Sequence, residues 1–566
     1  MTVPVGLIEE IAVELNRRAA VAVPLDARQS FQRAADRETN PLAKQVLLAI
    51  VDNCACATAD GRPMCGDTGV PRYYVKVGNE AGVEGGFVAF EQALRRGLAK
   101  ATQEVKLRSN RVHPLTRRNP GNNVGVFAPN IDYRFEPGGD WIDITAVHKG
   151  GLFGSDYRML FPGDGIPGIK RFLLDTIASF NRRGLSCPPL IVGVGIGGTK
   201  DQSFSLGKEA ACLRLVGDRH PDPVVAELEL ELLDLANQTL MGVMGLRSDT
   251  PVLDVHCEVA YTHTGGTPVG ITELCHAVRR STVRIHGDGS FEFREDPRWF
   301  TEYSRREGVD WSAGEPSAVP APAAPPIAVA EPAAVASTSP AAPETRTFHL
   351  NVPLSEADVR QLRIGDIVYL SGPIFTARDG VYEYMLGEGH EPPIDIKNAH
   401  NVTFQSSPAG TEVSPGHFEV ASLQATAGFR YAKWMEALLS RYGVRAVVCK
   451  GGMSEEVYRT VFQKHGAVCL STLGYGIGAL YGRGVKQVRN VYWKDQLGIS
   501  EAMWVLELDN LGPLLVEGDT EGRSFFAQHS GEVDEPLMRA YGDLPRPILS
   551  RMGEVLERTE ELIKEA

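Results

Sequence analysis

The 566 residues carry 43% hydrophobic and 23% charged side chains, the profile of a globular chain too long for a single hydrophobic core. A formal net charge of −13 argues against nucleic acid and anionic membrane as general partners, and leaves a small anion open wherever basic residues gather. No run reaches the roughly 18 apolar residues of a membrane span, and the acidic, amphipathic start predicts a cytoplasmic protein without a secretory signal.

In chain order, Leu7, Ile8, Ile11 and Leu15 fall near helical spacing and predict an N-terminal helix. Residues 41–57 repeat that pattern and lead into a loop holding Cys65, after which 72–77 read as a strand. W-I-D-I-T-A-V-H follows at 141–148, then a strand at 189–194 and a helix at 205–215. Strands and helices alternate, so the fold class is α/β, in the mixed α+β sense. From Ala313 the chain turns to Pro, Ala, Ser and Val, a composition that cannot bury a core and predicts a Pro-stiffened linker. The division is 1–312, a linker at 313–346, and 347–566, with the linker spanning the two parts without fixing their docking. The second part has a strand within 362–379, a helix at 430–442, a strand ending in a Gly turn at 445–452, and a further strand-like run near 503–508.

Nine cysteines at irregular spacing do not suit a disulfide framework, and a reducing compartment favours free, metal-bound or catalytic thiols. Cys212, Cys449 and Cys469 lie in apolar helix- or strand-like runs, and Cys54 and Cys56 lie near a helix end, where a cysteine is ordinarily a small core hydrophobe. Cys65, Cys187 and Cys275 stand instead beside Gly, Pro or His, where chains turn. Three thiolates from distant segments suit a metal group with one coordination position left open, although burial alone also accommodates them. No C-x-x-C pair occurs, which removes zinc-ribbon and ferredoxin signatures. Gly193, Gly195 and Gly198 form a G-x-G-x-x-G that would point to a nicotinamide oxidoreductase, but no clear βαβ frame surrounds it. Asp67-Thr68-Gly69 matches the aspartic-protease triplet without the second copy that a proton-sharing dyad requires.

Several ordered segments together resemble the class I, iron–sulfur fumarate hydratases and L-tartrate dehydratases, with the family's α and β parts joined in one chain. They are D-N-C-A-C-A-T-A-D-G-R-P-M-C-G-D-T-G-V, K-L-R-S-N-R-V-H-P-L-T-R-R-N-P-G-N-N and H-K-G-G-L-F-G-S. The others are C-P-P with G-I-G-G-T, H-T-G-G-T-P-V-G-I-T-E-L-C-H-A-V-R-R, L-R-I-G-D-I-V-Y-L-S-G-P-I-F-T-A-R-D and C-K-G-G-M. The resemblance implies a cluster-binding N-terminal domain and a smaller, swivelling β/β/α C-terminal domain. It also implies one [4Fe–4S] cluster per chain on Cys65, Cys187 and Cys275, a small dicarboxylate substrate and a homodimer. Arg108, Arg378, Arg430 and Lys450 would hold the substrate, with the backbone of Gly150 and Gly151 close by. Asp67 and His263, the latter twelve positions before Cys275, match polar catalytic positions.

Two departures stand out. Gly66 replaces the Gln that follows the family's first cysteine, and Leu152 replaces a Gly, which together suggest a larger or more apolar diacid. In Q-A-T-A-G-F-R, one register sets Ala427 at the proton-transfer Thr and the other sets Thr426 there. A specialised dehydratase for a larger 2-enoic or hydroxy acid and a non-catalytic cluster sensor are the rival readings.

Overall fold

The computed structural model describes residues 2–150, 153–306 and 346–545. It is a mixed α/β chain, and its first half opens with three helices. Val5–Val21 buries Ile8, Ile11 and Leu15 on one face, as the helical spacing requires. Leu25–Arg37 follows. Pro41–Asp60 starts where Asn40 Oδ1 accepts from the amides of Leu42 and Ala43, with Pro41 at the first helical position. It stops at Gly61, which takes a left-handed φ of 61°. This helix is long and apolar enough to cross a membrane, yet Val46, Leu47, Ile50, Cys54 and Ala57 lie in the protein core.

Two sheets follow. The five-stranded sheet runs in the order Phe291–Arg294, Arg280–His286, Trp141–Lys149, Val70–Gly78, Asn130–Glu136. Its Tyr73, Val75, Ile142 and Ile144 pack beneath Val5–Val21 and Gly86–Glu104. The four-stranded sheet runs Ser155–Leu160, Thr267–Leu274, Leu190–Gly197, Val252–Ala260. Here the G-x-G-x-x-G finds its use. A Cβ at Gly193 would lie 2.0 Å from Gly207 O, and one at Gly195 2.0 Å from Ser203 O. These glycines let helix Lys200–Leu213 rest directly on the strand, which is a packing role.

In the second half, seven strands form one sheet. Strand Ile367–Thr376 pairs in parallel with Val402–Phe404 and antiparallel with the long strand Met503–Gly518. Met503–Gly518 also pairs with Val468–Thr472, so the sheet closes on itself. Parallel neighbours Val402–Phe404, Ala446–Cys449 and Val468–Thr472 complete the circuit, and their ends carry the turns that face the first half.

The docking of the halves is fixed by packing. One apolar cluster contains Val46, Leu47, Met64 and Cys65 from the first half with Leu423, Leu473, Tyr475, Ile477 and Ala479 from the second. Ser422 Oγ donates to Pro63 O, Arg483 pairs with Asp60 at 2.8 Å, and Asn119 Nδ2 donates to Ser500 Oγ at 2.6 Å. Helix Phe525–Tyr541 then returns to the first half, where Val533 and Leu537 enter a cluster with Phe172 and Leu173. Residues 307–345, nearly all of the expected linker, lie outside the described residues. Because one core serves both halves, Ile477→Ala is expected to cost about 2–5 kcal/mol. In denaturant unfolding the signals from both halves should shift together; a shift confined to the second half would contradict the shared core.

Candidate active site

The three cysteines sit on three turns that the sheets bring to one place. Cys65 lies between helix Pro41–Asp60 and strand Val70–Gly78, in a turn held by Asn53 Nδ2 donating to Met64 O at 2.9 Å. Cys187 precedes strand Leu190–Gly197 and takes a φ of 61°, uncommon for a residue with a side chain and a frequent mark of functional turns. Cys275 follows strand Thr267–Leu274, whose Leu274 pairs with Ile191. That pairing sets Cys275 beside Cys187, and His276 N donates to Cys187 O at 3.2 Å.

Burial and neighbouring charges act on Cys65 and Cys187. Burial pushes Cys65 up to about 12, with Asp67, Cys187 and Cys275 adding to the rise and Arg279 opposing it. Burial and Cys275 raise Cys187, while Lys450 and Arg279 pull it down. Lys450 Nζ comes from the other half and donates to Cys187 Sγ at 2.8 Å and to Leu185 O at 2.6 Å. Arg279 is the buried cation common to all three thiols. Its Nε donates to His148 O at 2.7 Å and its Nη1 to Asp67 O. Sequence reasoning missed Arg279, although it stands four residues after Cys275. Its neighbour Arg280 turns away to Asp26 at 2.8 Å, and nothing in the V-R-R run says which arginine points inward.

Around the thiols stand the expected cations. Arg108 Nη2 pairs with Asp67 Oδ1 at 2.7 Å, and its Nε donates to Asn110 Oδ1 at 2.6 Å. Asp67 Oδ1 also accepts from Asn110 Nδ2 and the Gly69 amide, both at 3.1 Å. Burial alone would raise the Asp67 carboxyl; Arg108, Arg279, the Gly69 amide and Arg378 outweigh it and hold the group at about 2. Arg378 Nη1 lies 3.5 Å from Glu501, and its buried Nε has no hydrogen-bond partner among the described residues. Arg430 Nη2 pairs with Asp379 at 2.6 Å, and its Nη1 donates to Thr426 Oγ1 at 3.3 Å.

The register around Thr426 follows from backbone pairing. Thr426 O accepts from Lys450 N at 2.9 Å, and Gly428 N donates to Lys450 O at 2.9 Å. Alternation then sends Thr426 toward Arg430 and the Ala427 methyl into a cluster with Leu185 and Phe429. A hydroxyl able to reach this site belongs at 426.

Three expectations need correction or fall away. His263 does not join the cysteines of its own chain: it is exposed in the loop that joins strands Val252–Ala260 and Thr267–Leu274, its Nδ1 accepting from Gly265 N at 3.0 Å. Strand Thr267–Leu274 separates it from Cys275, and an extended strand of that length covers roughly 24 Å. Gly66 leaves no extra room. A Cβ there would lie 2.6 Å from Gln424 N, and a Cβ at Gly478 would lie 2.3 Å from Gly66 N, so the second half fills the space. Gly150 sits by Asp67, with a Cβ position 3.8 Å from Oδ2, whereas Gly151 and Leu152 lie outside the described residues. The inference of an enlarged pocket therefore loses its support.

Three thiols of the first half, one buried and two half-buried, thus stand among cations from both halves. Residues 9–284 match the family model for fumarate hydratase (fumerase), and residues 324–529 match that for the fumarase C-terminus. The chain is 26% identical over 555 residues to a putative class I fumarate hydratase of Geobacillus stearothermophilus, covering 96% of this chain and 99% of that one. It is 43% identical over 286 residues to a putative L(+)-tartrate dehydratase subunit alpha of Methanocaldococcus jannaschii, covering 50% of this chain and 98% of the relative. The L(+)-tartrate dehydratase subunit alpha of Escherichia coli is 31% identical over 290 residues, 51% of this chain and 94% of that subunit. The chain belongs to the fumarate hydratase family and is a hydro-lyase.

The filled space beside Gly66 gives a direct test. Gly66→Gln should strain the interface and lower stability by about 1–3 kcal/mol, as overpacking does. Thermal unfolding of the variant would check this; an unchanged melting temperature would mean that the contact at Gln424 yields freely.

Proposed function

We propose that this hydro-lyase adds or removes water at a four-carbon dicarboxylate of the fumarate/malate or tartrate type, and that Cys65, Cys187 and Cys275 hold one [4Fe–4S] cluster per chain. The observation that carries the reading is that three turns bring Cys65, Cys187 and Cys275 around the buried Arg279, with Lys450 from the other half donating to Cys187 Sγ. The donor set suits the cluster. Among the described residues no three His, Cys, Asp or Glu side chains stand close enough to hold a single ion, yet Cys187 and Cys275 are near enough to Cys65 to raise it. That intermediate spacing fits a multi-atom group. Binding would release the thiol protons, and Arg279 and Lys450 would offset the thiolate charge. When bound, the cluster would supply a Lewis-acidic iron, with the position not taken by cysteine open to a substrate oxygen.

The chain's own residues do the rest. Arg108 and Arg378 present planar guanidinium groups suited to paired carboxylate oxygens, and the unpartnered Nε of Arg378 is a donor in reserve for one of them. Asp67, with Oδ1 held by three donors, fixes the orientation of Arg108. Thr426 is the proton-transfer residue: its Oγ1 accepts from Arg430, and a fixed cation beside the hydroxyl eases loss of its proton. Gly150, with no side chain, leaves the approach to Asp67 Oδ2 clear.

The test is turnover by anaerobically reconstituted protein on fumarate, L-malate, L- and D-tartrate and mesaconate. A four-carbon diacid without branching should be the best substrate. Thr426→Ala should lower kcat by about 10²-fold or more while KM stays within a few-fold. Mesaconate as clearly the best substrate, or full kcat in Thr426→Ala, would overturn the assignment it tests.

A further inference from the structure

Lys450 reaches Cys187 from a turn that is itself held from behind. Strand Ala446–Cys449 ends at Lys450, and the chain reverses through Gly451 and Gly452, both left-handed with φ of 70° and 65°. A Cβ at Gly452 would fall 2.3 Å from Glu517 Oε2 and 2.7 Å from the Tyr458 hydroxyl, so these groups press directly on the turn. Tyr458 Oη accepts from Met453 N at 2.7 Å and donates to Glu517 Oε2. Glu517 Oε1 accepts from Ser524 Oγ at 2.8 Å and lies 3.9 Å from Arg183 Nη1. Arg183 belongs to the first half, and the same Nη1 donates to Gly451 O at 3.3 Å and Met453 O at 2.9 Å. The Arg183 and Glu517 side chains are 7% and 0% exposed.

Water could satisfy two turn carbonyls at a strand end. Here a buried guanidinium from the other half does so, balanced by a fully buried carboxylate. Such a pair is an expensive way to gain stability, because both charges leave water. What it supplies is geometry: one guanidinium fixes the carbonyls on either side of Gly452, one and three residues from the lysine whose ammonium touches Cys187.

We propose that Arg183 and Glu517 form a cross-domain positioning pair that sets where Lys450 stands relative to Cys187. The inference rests on the reading that Lys450 serves the site by offsetting thiolate charge at Cys187, and neither member of the pair is given a substrate contact by that reading. Arg183 acts through the carbonyls of Gly451 and Met453, and Glu517 acts through Arg183 and through Tyr458.

The pair is also sensitive to pH. Burial pushes the Glu517 carboxyl up to about 7, against Arg183, Ser524 and the Phe526 amide. The titratable and charged groups facing it are Arg183, Tyr458 and Cys449. Its folded value lies above the unfolded 4.5, so its contribution to global stability is fully present below about pH 4.5 and is lost as pH rises to about 7. Its grip on Arg183 has the opposite sign, being present when the carboxylate is ionised and weakened as pH falls through 7. A pair that merely held the fold together would move both quantities in the same direction.

The experiment uses the full chain, reconstituted and apo, as wild type and as Arg183→Met, Arg183→Lys, Glu517→Gln and Tyr458→Phe. Amide exchange in peptides spanning 446–458, corrected for intrinsic rate, reports the turn without reference to turnover. It should show lost protection in Arg183→Met and Glu517→Gln, with or without the cluster. On L-tartrate and fumarate, kcat/KM should fall roughly ten- to hundredfold at unchanged iron content, and Arg183→Lys, which lacks the fork, should not restore it. The wild-type profile should carry an inflection near pH 7 that Glu517→Gln removes. Turn protection and a pH profile unchanged in Glu517→Gln would overturn the pair. Should that variant misfold, Tyr458→Phe decides in its place, since it removes only the hydroxyl that links Glu517 to the turn. Lys450→Met separates the two claims: full activity there would end the role given to Lys450, while loosened exchange in the Arg183 and Glu517 variants would still stand.

Discussion

An ammonium from one half of the chain rests on a thiol of the other. The 2.8 Å contact from Lys450 Nζ to Cys187 Sγ is possible only because a closed sheet and a separate four-stranded sheet are docked with their turn-bearing ends facing. Almost every feature of the site follows from that constraint. Gly66 has no side chain because Leu423 and Gln424 occupy its space, and Gly478 has none because it meets the Cys65–Gly66 backbone. His276 reaches Tyr475 O across the same seam, and a Cβ at Gly476 would lie 2.8 Å from its ring. Each cysteine is thus contacted by the second half at its own position or at the adjoining residue. The site is a property of the interface, and neither half contains it alone.

This arrangement accounts for where charge is placed. Three closely grouped thiols are stable in a folded apo chain only if they keep their protons, which burial ensures for Cys65. They can become thiolates only if cations are already fixed nearby. Arg279 and Lys450 meet that need from the two halves of the chain and hold their places through backbone carbonyls: Arg279 at His148 O and Asp67 O, Lys450 at Leu185 O. The outer cations are held differently. Arg108, Arg378 and Arg430 each lean on a carboxylate, Asp67, Glu501 and Asp379 respectively, which orients a guanidinium without removing it from the site.

Local features were legible in the sequence. The helices at Val5–Val21 and Pro41–Asp60 follow from apolar spacing and caps, and the strands at Val70–Gly78 and Leu190–Gly197 from short apolar runs. The cysteines and the outer arginines stood out because turn residues and motif order surround them. What was not legible depends on pairing between distant segments. Closure of the second sheet requires Met503–Gly518 to pair with Ile367–Thr376 and Val468–Thr472, and no local pattern announces that. An offset of twelve residues put His263 near Cys275 on paper, but an extended strand converts the same offset into distance. Gly66 looked like a vacancy because its neighbour Gln424 is 358 positions away. Arg183 and Glu517 carry no motif at all; only burial and the turn they grip mark them out.

Cys65, Cys187 and Cys275 are proposed to hold one iron–sulfur cluster at a site completed by both halves. The most direct measurement is iron and acid-labile sulfide per chain after anaerobic reconstitution, in wild type and in the three single Cys→Ser variants. The expected result is about four iron and four sulfide per wild-type chain, with a large loss in each variant while the fold, followed by circular dichroism, is retained. A folded wild-type chain that binds neither, or variants that bind as much as wild type, would contradict the account.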